Sequence, residues 1–298
     1  VSRATFGCRF VAGAFVVVAG ACREPSEAGW RTEESSEADS AFRAFDSSAL
    51  EASRIGGDSA TVLSAGASDL PPIPGDPLFT NLVISGFPEA VVSVPNGATS
   101  RRPVLIVLHG SGDRPDWNCD AWRHITGARG FVLCPRGADE PRESTKDDRR
   151  YTHRGGAYLR DHVEAAIGAL RARFADYVDA ERPLLAGFSL GAIEVAKLAL
   201  DNPSRFPRVA VIEGGHGVWT GPAARAFAAH GGLRVLLGCG SAWCVPLARD
   251  AAVRLSASGV EAHRVYAHVG HTTDRPLQEA IMTELPWFLG GDPRWSVR

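Results

Sequence analysis

No stretch of this sequence is apolar for long enough to cross a membrane: the apolar run over residues 10–21 falls short of the about 20 residues that span a bilayer. Neither charge is in surplus. With 32 basic and 34 acidic side chains the net charge is −2, which excludes the basic footprint of a nucleic-acid binder. Lysine is scarce, represented by Lys146 and Lys197 alone, a bias of composition that carries no chemistry. The six cysteines include no paired C-x-x-C motif, which argues against zinc as their purpose. No internal repeat or low-complexity segment interrupts the core region. What remains is a chain of 298 residues, 45% hydrophobic and 22% charged, enough for one large core plus an extension.

The extension is at the start. Arg3 and Arg9 precede the apolar run, which ends in small residues before Cys22; this pattern reads as a signal segment over residues 1–21. Ala19-Gly20-Ala21-Cys22 resembles the lipobox of bacterial lipoproteins, departing from it at Ala19, where leucine is usual. The resemblance implies export with lipidation of Cys22 and hence a membrane anchor at the cell envelope; simple cleavage and release into the periplasm or medium is the other outcome. Residues 22–77 are rich in Ser, Glu, Ala, Asp and Gly without an apolar period and read as a disordered tether. Pro71, Pro72, Pro74 and Pro77 make its end stiff and extended. Export places the remaining cysteines in an oxidising compartment. Setting aside Cys8 and Cys22 leaves four, and the local pairs Cys119–Cys134 and Cys239–Cys244, each beside an expected strand end, are the chosen disulfides.

Over residues 78–290 the pattern alternates between strands and helices, which predicts an α/β domain with a mostly parallel central sheet flanked by helices. Strands are expected over 89–94, near an edge and antiparallel, then over 103–108, 130–134, 183–186, 208–213, 233–238 and 260–267. Helices are expected over 116–128, 156–175, after 189, and over 222–229, 246–258 and 274–289, the last interrupted by Pro286. Residues 291–298 read as a tail. The segment 137–154 carries Asp139, Glu140, Arg142, Glu143, Lys146, Asp147, Asp148, Arg149 and Arg150. It is either solvated surface or a mobile cover over a pocket.

The chemistry centres on Gly187-Phe188-Ser189-Leu190-Gly191, set between an apolar run and a helical pattern. A serine on a strained strand-to-helix bend needs small neighbours two positions away on each side. This resembles the nucleophile elbow of the α/β-hydrolases, and the resemblance covers residues 78–289. It implies Ser189 as nucleophile and the Leu190 N–H as one oxyanion donor. His109-Gly110-Ser111-Gly112, directly after the buried run 103–108, resembles the family's oxyanion loop and offers the Ser111 or Gly112 N–H as the second. His271 in His268-Val269-Gly270-His271 stands where the family carries its base, with His268 as fallback. The loop Gly238-Cys239-Gly240-Ser241-Ala242-Trp243-Cys244, where the family most often carries an aspartate, holds no carboxylate. Glu213, closing the preceding strand, is the choice for the acid; Asp274 and Asp250 are the alternatives.

These features imply an exported serine hydrolase that cleaves carboxylic esters, small or polymeric, through an acyl-serine intermediate. No metal or organic cofactor is implied. The alternative is a catalytically silent hydrolase-like envelope lipoprotein that binds a ligand or partner, an option opened by the missing aspartate.

Overall fold

The computed structural model describes residues 70–295. Residues 1–21, Cys22, the tether as far as residue 69 and residues 296–298 lie outside the described residues. The chain opens with an antiparallel hairpin, β1 (Phe79–Ile84) and β2 (Phe87–Ser93). It continues through β3 (Arg102–Leu108), α1 (Pro115–Thr126), β4 (Phe131–Pro135), the short β5 (Ala138–Asp139) and β6 (Tyr151–Thr152), and α2 (Ala157–Phe174). Then come β7 (Val178–Phe188), α3 (Leu190–Asp201), β8 (Arg208–Ile212) and α4 (Gly221–Ala229). The chain closes with β9 (Arg234–Cys239), α5 (Cys244–Ser256), β10 (Glu261–Tyr266) and α6 (Arg275–Leu289).

Among the described residues eight strands form one sheet in the order β1-β2-β4-β3-β7-β8-β9-β10. The pairs β1/β2 and β2/β4 are antiparallel and the rest parallel. Because strand side chains alternate, β3 sends Val104, Ile106 and Leu108 to one core and Leu105 and Val107 to the other. Helices α2, α3, α4 and α5 cover the first face, and α1 and α6 the second. This is why the run at β3 reads as continuously apolar. Among the described residues no helix is long and apolar enough to cross a membrane.

Several boundaries differ from expectation for reasons of packing. The edge strand is β1, in which only Leu82 and Ile84 are buried, so the predicted edge strand β2 lies one place inward. The end of the expected tether is bound to the domain: Ile73 is buried, and its N–H and C=O both bond to the 97–98 turn. The expected tail turns back as a short helix over Pro293–Trp295, and Trp295 is buried in the second core. Pro286 does not interrupt α6, which runs through it to Leu289. Proline forgoes one helix hydrogen bond there. At the end of α6, Arg234 donates to Trp287 O at 2.5 Å and to Gly290 O, just past the helix, at 2.6 Å, and Arg208 donates to Gly290 O at 2.8 Å.

Four histidines, His109, His153, His162 and His216, are buried, and burial lowers the pKa of each, that of His216 to about 4. They are neutral in the fold at pH values where the unfolded chain, with its ordinary value of 6.5, already takes up protons. Stability therefore falls as the pH drops below 6.5, and for His216 the fall ends near 4. That residue alone accounts for about 3 kcal/mol over the interval. Urea-unfolding midpoints should decline steadily between pH 7 and 4.5. In His153→Phe, which removes a ring whose two nitrogens have no partner, the decline should be shallower; an unchanged slope would show that His153 is not kept neutral by the fold.

Candidate active site

β7 ends at Phe188 and α3 begins at Leu190, so Ser189 alone makes the bend, with φ 53° and ψ −116°. A non-glycine residue holds that conformation only when its surroundings enforce it. Here the enforcement is close backbone packing: a Cβ on Gly187 would lie 2.3 Å from Gly191 O, and one on Gly191 would lie 2.1 Å from Leu108 O. The Ser189 N–H is anchored on Ile212 O at 2.9 Å. The Leu190 N–H, in the first turn of α3, has no partner among the described residues.

Glu213 follows β8 directly and is also left-handed, at φ 54°. Gly214 and Gly215 let the chain turn past the elbow, since a Cβ on either would meet Ser189 O or Ala192 O at 2.5 Å. The Glu213 side chain is fully buried. Its Oε1 accepts the N–H groups of Gly240 at 2.5 Å and Ser241 at 2.7 Å, and its Oε2 accepts the Ser241 hydroxyl at 2.8 Å. The same Oε2 lies 2.8 Å from His271 Nδ1, and His271 Nε2 lies 3.0 Å from Ser189 Oγ. Burial works against the Glu213 charge, but the Ser241 and Gly240 donors and His271 outweigh it, and the pKa falls below the ordinary glutamate value.

The structure thus brings Ser189, His271 and Glu213 into one line. His268 is exposed with its ring 6.3 Å from Tyr266, Asp274 accepts the Thr272 hydroxyl at 2.8 Å, and Asp250 pairs with Arg249 on the surface at 3.5 Å. The loop that lacks an aspartate serves differently: Gly240 and Ser241 hold the carboxylate supplied from β8. Gly240 O also accepts the N–H groups of Val269 at 3.1 Å and Gly270 at 3.0 Å, so the same loop steadies the segment carrying His271. Cys239 is bonded to Cys244 across this loop, and Cys119 to Cys134, tying α1 to β4. Among the described residues, His216, Cys239 and Cys244 gather possible metal ligands within 4.8 Å, but the disulfide occupies both sulfurs.

The loop after β3 packs against the elbow, with the Cβ position of Gly110 only 3.4 Å from Ser189 Cβ. His109 Nε2 accepts the Gly137 N–H at 3.1 Å, so its Nδ1 carries the proton and donates to Gly110 O at 2.7 Å. In a trans peptide the following N–H points opposite that carbonyl, which fixes the direction of the Ser111 N–H. Neither the Ser111 nor the Gly112 N–H has a partner among the described residues. Segment 137–154 braces this loop: Tyr151 and Asp113 exchange backbone bonds at 3.3 and 3.0 Å, and Ser111 Oγ meets Thr152 Oγ1 at 3.1 Å. Of its charges, Asp148 pairs with Arg150 at 2.6 Å and with Arg114 at 3.3 Å.

Sequence reasoning missed Ser241, Thr152 and the two rings flanking His271, Phe188 at 5.0 Å and Trp243 at 6.1 Å. No local pattern marks them, because each acts on a residue far away in the chain. One consequence of the elbow is directly measurable. Gly191→Ala forces a methyl onto a backbone carbonyl that no rotamer change can relieve, and should cost about 3 kcal/mol; a thermal midpoint within one degree of wild type would contradict the close packing.

No protein-family model and no curated protein matches the sequence. Among solved structures, the chain is similar to a Staphylococcus aureus fluorophosphonate-binding serine hydrolase (TM-score 0.51, 13% identity, covering 73% of this chain and 99% of that one). It is likewise similar to a ferulic acid esterase (TM-score 0.51, 12% identity, covering 70% of this chain and 97% of that one). The shared architecture is the α/β-hydrolase fold.

Proposed function

We propose that this chain is a serine hydrolase that cleaves carboxylic esters through an acyl-Ser189 intermediate. The observation that carries the reading is the hydrogen-bonded line from the buried Glu213 through His271 to Ser189. Glu213 holds the Nδ1 proton, which leaves the Nε2 lone pair facing the hydroxyl. As Ser189 Oγ attacks the ester carbon its proton passes to Nε2, and the carbonyl π electrons move onto oxygen. The Ser111 and Leu190 N–H groups stabilise that oxyanion. Collapse breaks the bond to the alcohol, whose oxygen takes the proton from Nε2. Water then repeats the sequence on the acyl-serine and releases the acid. The missing aspartate favoured a silent ligand-binding protein; Glu213 at 2.8 Å from His271 removes that ground.

Labelling by a fluorophosphonate probe and release of p-nitrophenol from p-nitrophenyl butyrate should both occur in wild type and vanish in Ser189→Ala. Absence of both in wild type would sink the enzyme reading. Glu213→Gln should lower kcat by about 10⁴-fold, the cost of losing an orienting carboxylate in serine proteases, with KM little changed; a loss under tenfold would remove Glu213 from the relay.

The export reading rests on Arg3, Arg9, the apolar run over 10–21 and Cys22, and the two disulfides agree with an oxidising compartment. The mature protein should begin at Cys22 and carry acyl mass there in an intact mass spectrum; an unmodified Cys22 would refute the lipid anchor.

A further inference from the structure

Trp243 stands beside the reacting groups, yet neither the core nor the proton relay uses it. Its side chain is 55% exposed, whereas Trp122, Trp219 and Trp295 are buried. The indole lies 6.1 Å from the His271 ring and close to parallel with it, at 29°. The main chain of this residue belongs to a tightly tied loop. Trp243 immediately precedes Cys244, which closes the loop onto Cys239, and Gly240 in that loop bonds both to Glu213 and to the segment carrying His271. The backbone that carries the ring is therefore tied to acid and base alike.

Which half of an ester would meet this ring follows from the direction of proton transfer, and so rests on the hydrolase reading above. The acyl carbon must sit over Ser189 Oγ. The departing oxygen must lie within reach of His271 Nε2, because that nitrogen returns the proton to it. A solvent-exposed ring stacked on that imidazole is therefore placed to meet the alcohol half. An indole face offers dispersion and quadrupole attraction to a second flat ring and little to a short alkyl chain. We propose that Trp243 is a specificity-determining platform for the alcohol half, and that the site takes esters of planar aromatic alcohols. A competing local role is contact with the imidazolium that forms during turnover, which would affect every ester alike.

The test uses three esters that separate the halves: 2-naphthyl acetate carries the ring on the alcohol, ethyl 2-naphthoate carries it on the acid, and ethyl acetate has none. In Trp243→Ala the ratio of kcat/KM for 2-naphthyl acetate to that for ethyl acetate should fall about tenfold relative to wild type, mainly through KM. The ratio of ethyl 2-naphthoate to ethyl acetate should hold within about twofold, and Trp243→Phe should recover most of the loss. An equal loss on all three esters assigns Trp243 to the imidazolium and overturns the proposal, as does a loss confined to ethyl 2-naphthoate. Fluorophosphonate labelling separates the two levels of inference. If wild type is labelled and active but the ratios do not move, only the platform fails; if wild type is neither labelled nor active, the hydrolase reading fails and the platform with it.

Discussion

A carboxylate with no exposure to water must be surrounded by donors, since an ion buried without partners costs several kcal/mol. Glu213 meets that demand with the N–H groups of Gly240 and Ser241, the Ser241 hydroxyl and His271 Nδ1. Three of the four come from one short loop. That loop is closed by the Cys239–Cys244 bond and, through Gly240 O, receives the N–H groups of Val269 and Gly270. Satisfying one buried charge thus joins the loop after β9, the loop after β10 and the end of β8 into a single hydrogen-bonded unit. His271, half exposed at 46%, is positioned by this unit more than by packing of its own ring.

The same end of the sheet concentrates backbone strain. Ser189 after β7 and Glu213 after β8 are both non-glycine residues at positive φ, each costing about 1–3 kcal/mol. The two strands are neighbours, and Ser189 N–H bonds to Ile212 O while Gly214 passes against Ser189 O. One bend therefore supports the other. The two cores on either face of the sheet supply the stability that such positions draw on, and the reacting groups gather where parallel strands end, as open α/β sheets favour.

Segment 137–154 combines a solvated charged surface with a structural role at its ends. Asp148 pairs with Arg150 and with Arg114, and the guanidinium groups of Arg114 and Arg150 lie 5.4 and 4.4 Å from the Trp117 ring. The segment lays Tyr151 and Thr152 along residues 111–113. Its ends brace the loop after β3, while most of its charges, Asp139, Arg142, Glu143, Lys146, Asp147 and Arg149, lie on the solvated surface.

Local patterns in the sequence were sufficient for the alternation of strands and helices, the run at β3 and the pentapeptide around Ser189. Each depends on side-chain periodicity or on a close approach between residues a few positions apart, and both are written into consecutive residues. The edge strand β1 escaped because only Leu82 and Ile84 of its residues are buried, and the continuity of α6 through Pro286 because Leu285, Phe288 and Leu289 around it are packed into the second core. Glu213 was one of three carboxylates from sequence; its selection, the donors Gly240 and Ser241, and the place of Trp243 beside His271 were decided only in three dimensions. The separation of residues 213, 241 and 271 in space is set by strand order and register, and a chain's local chemistry does not encode which of its distant segments become neighbours.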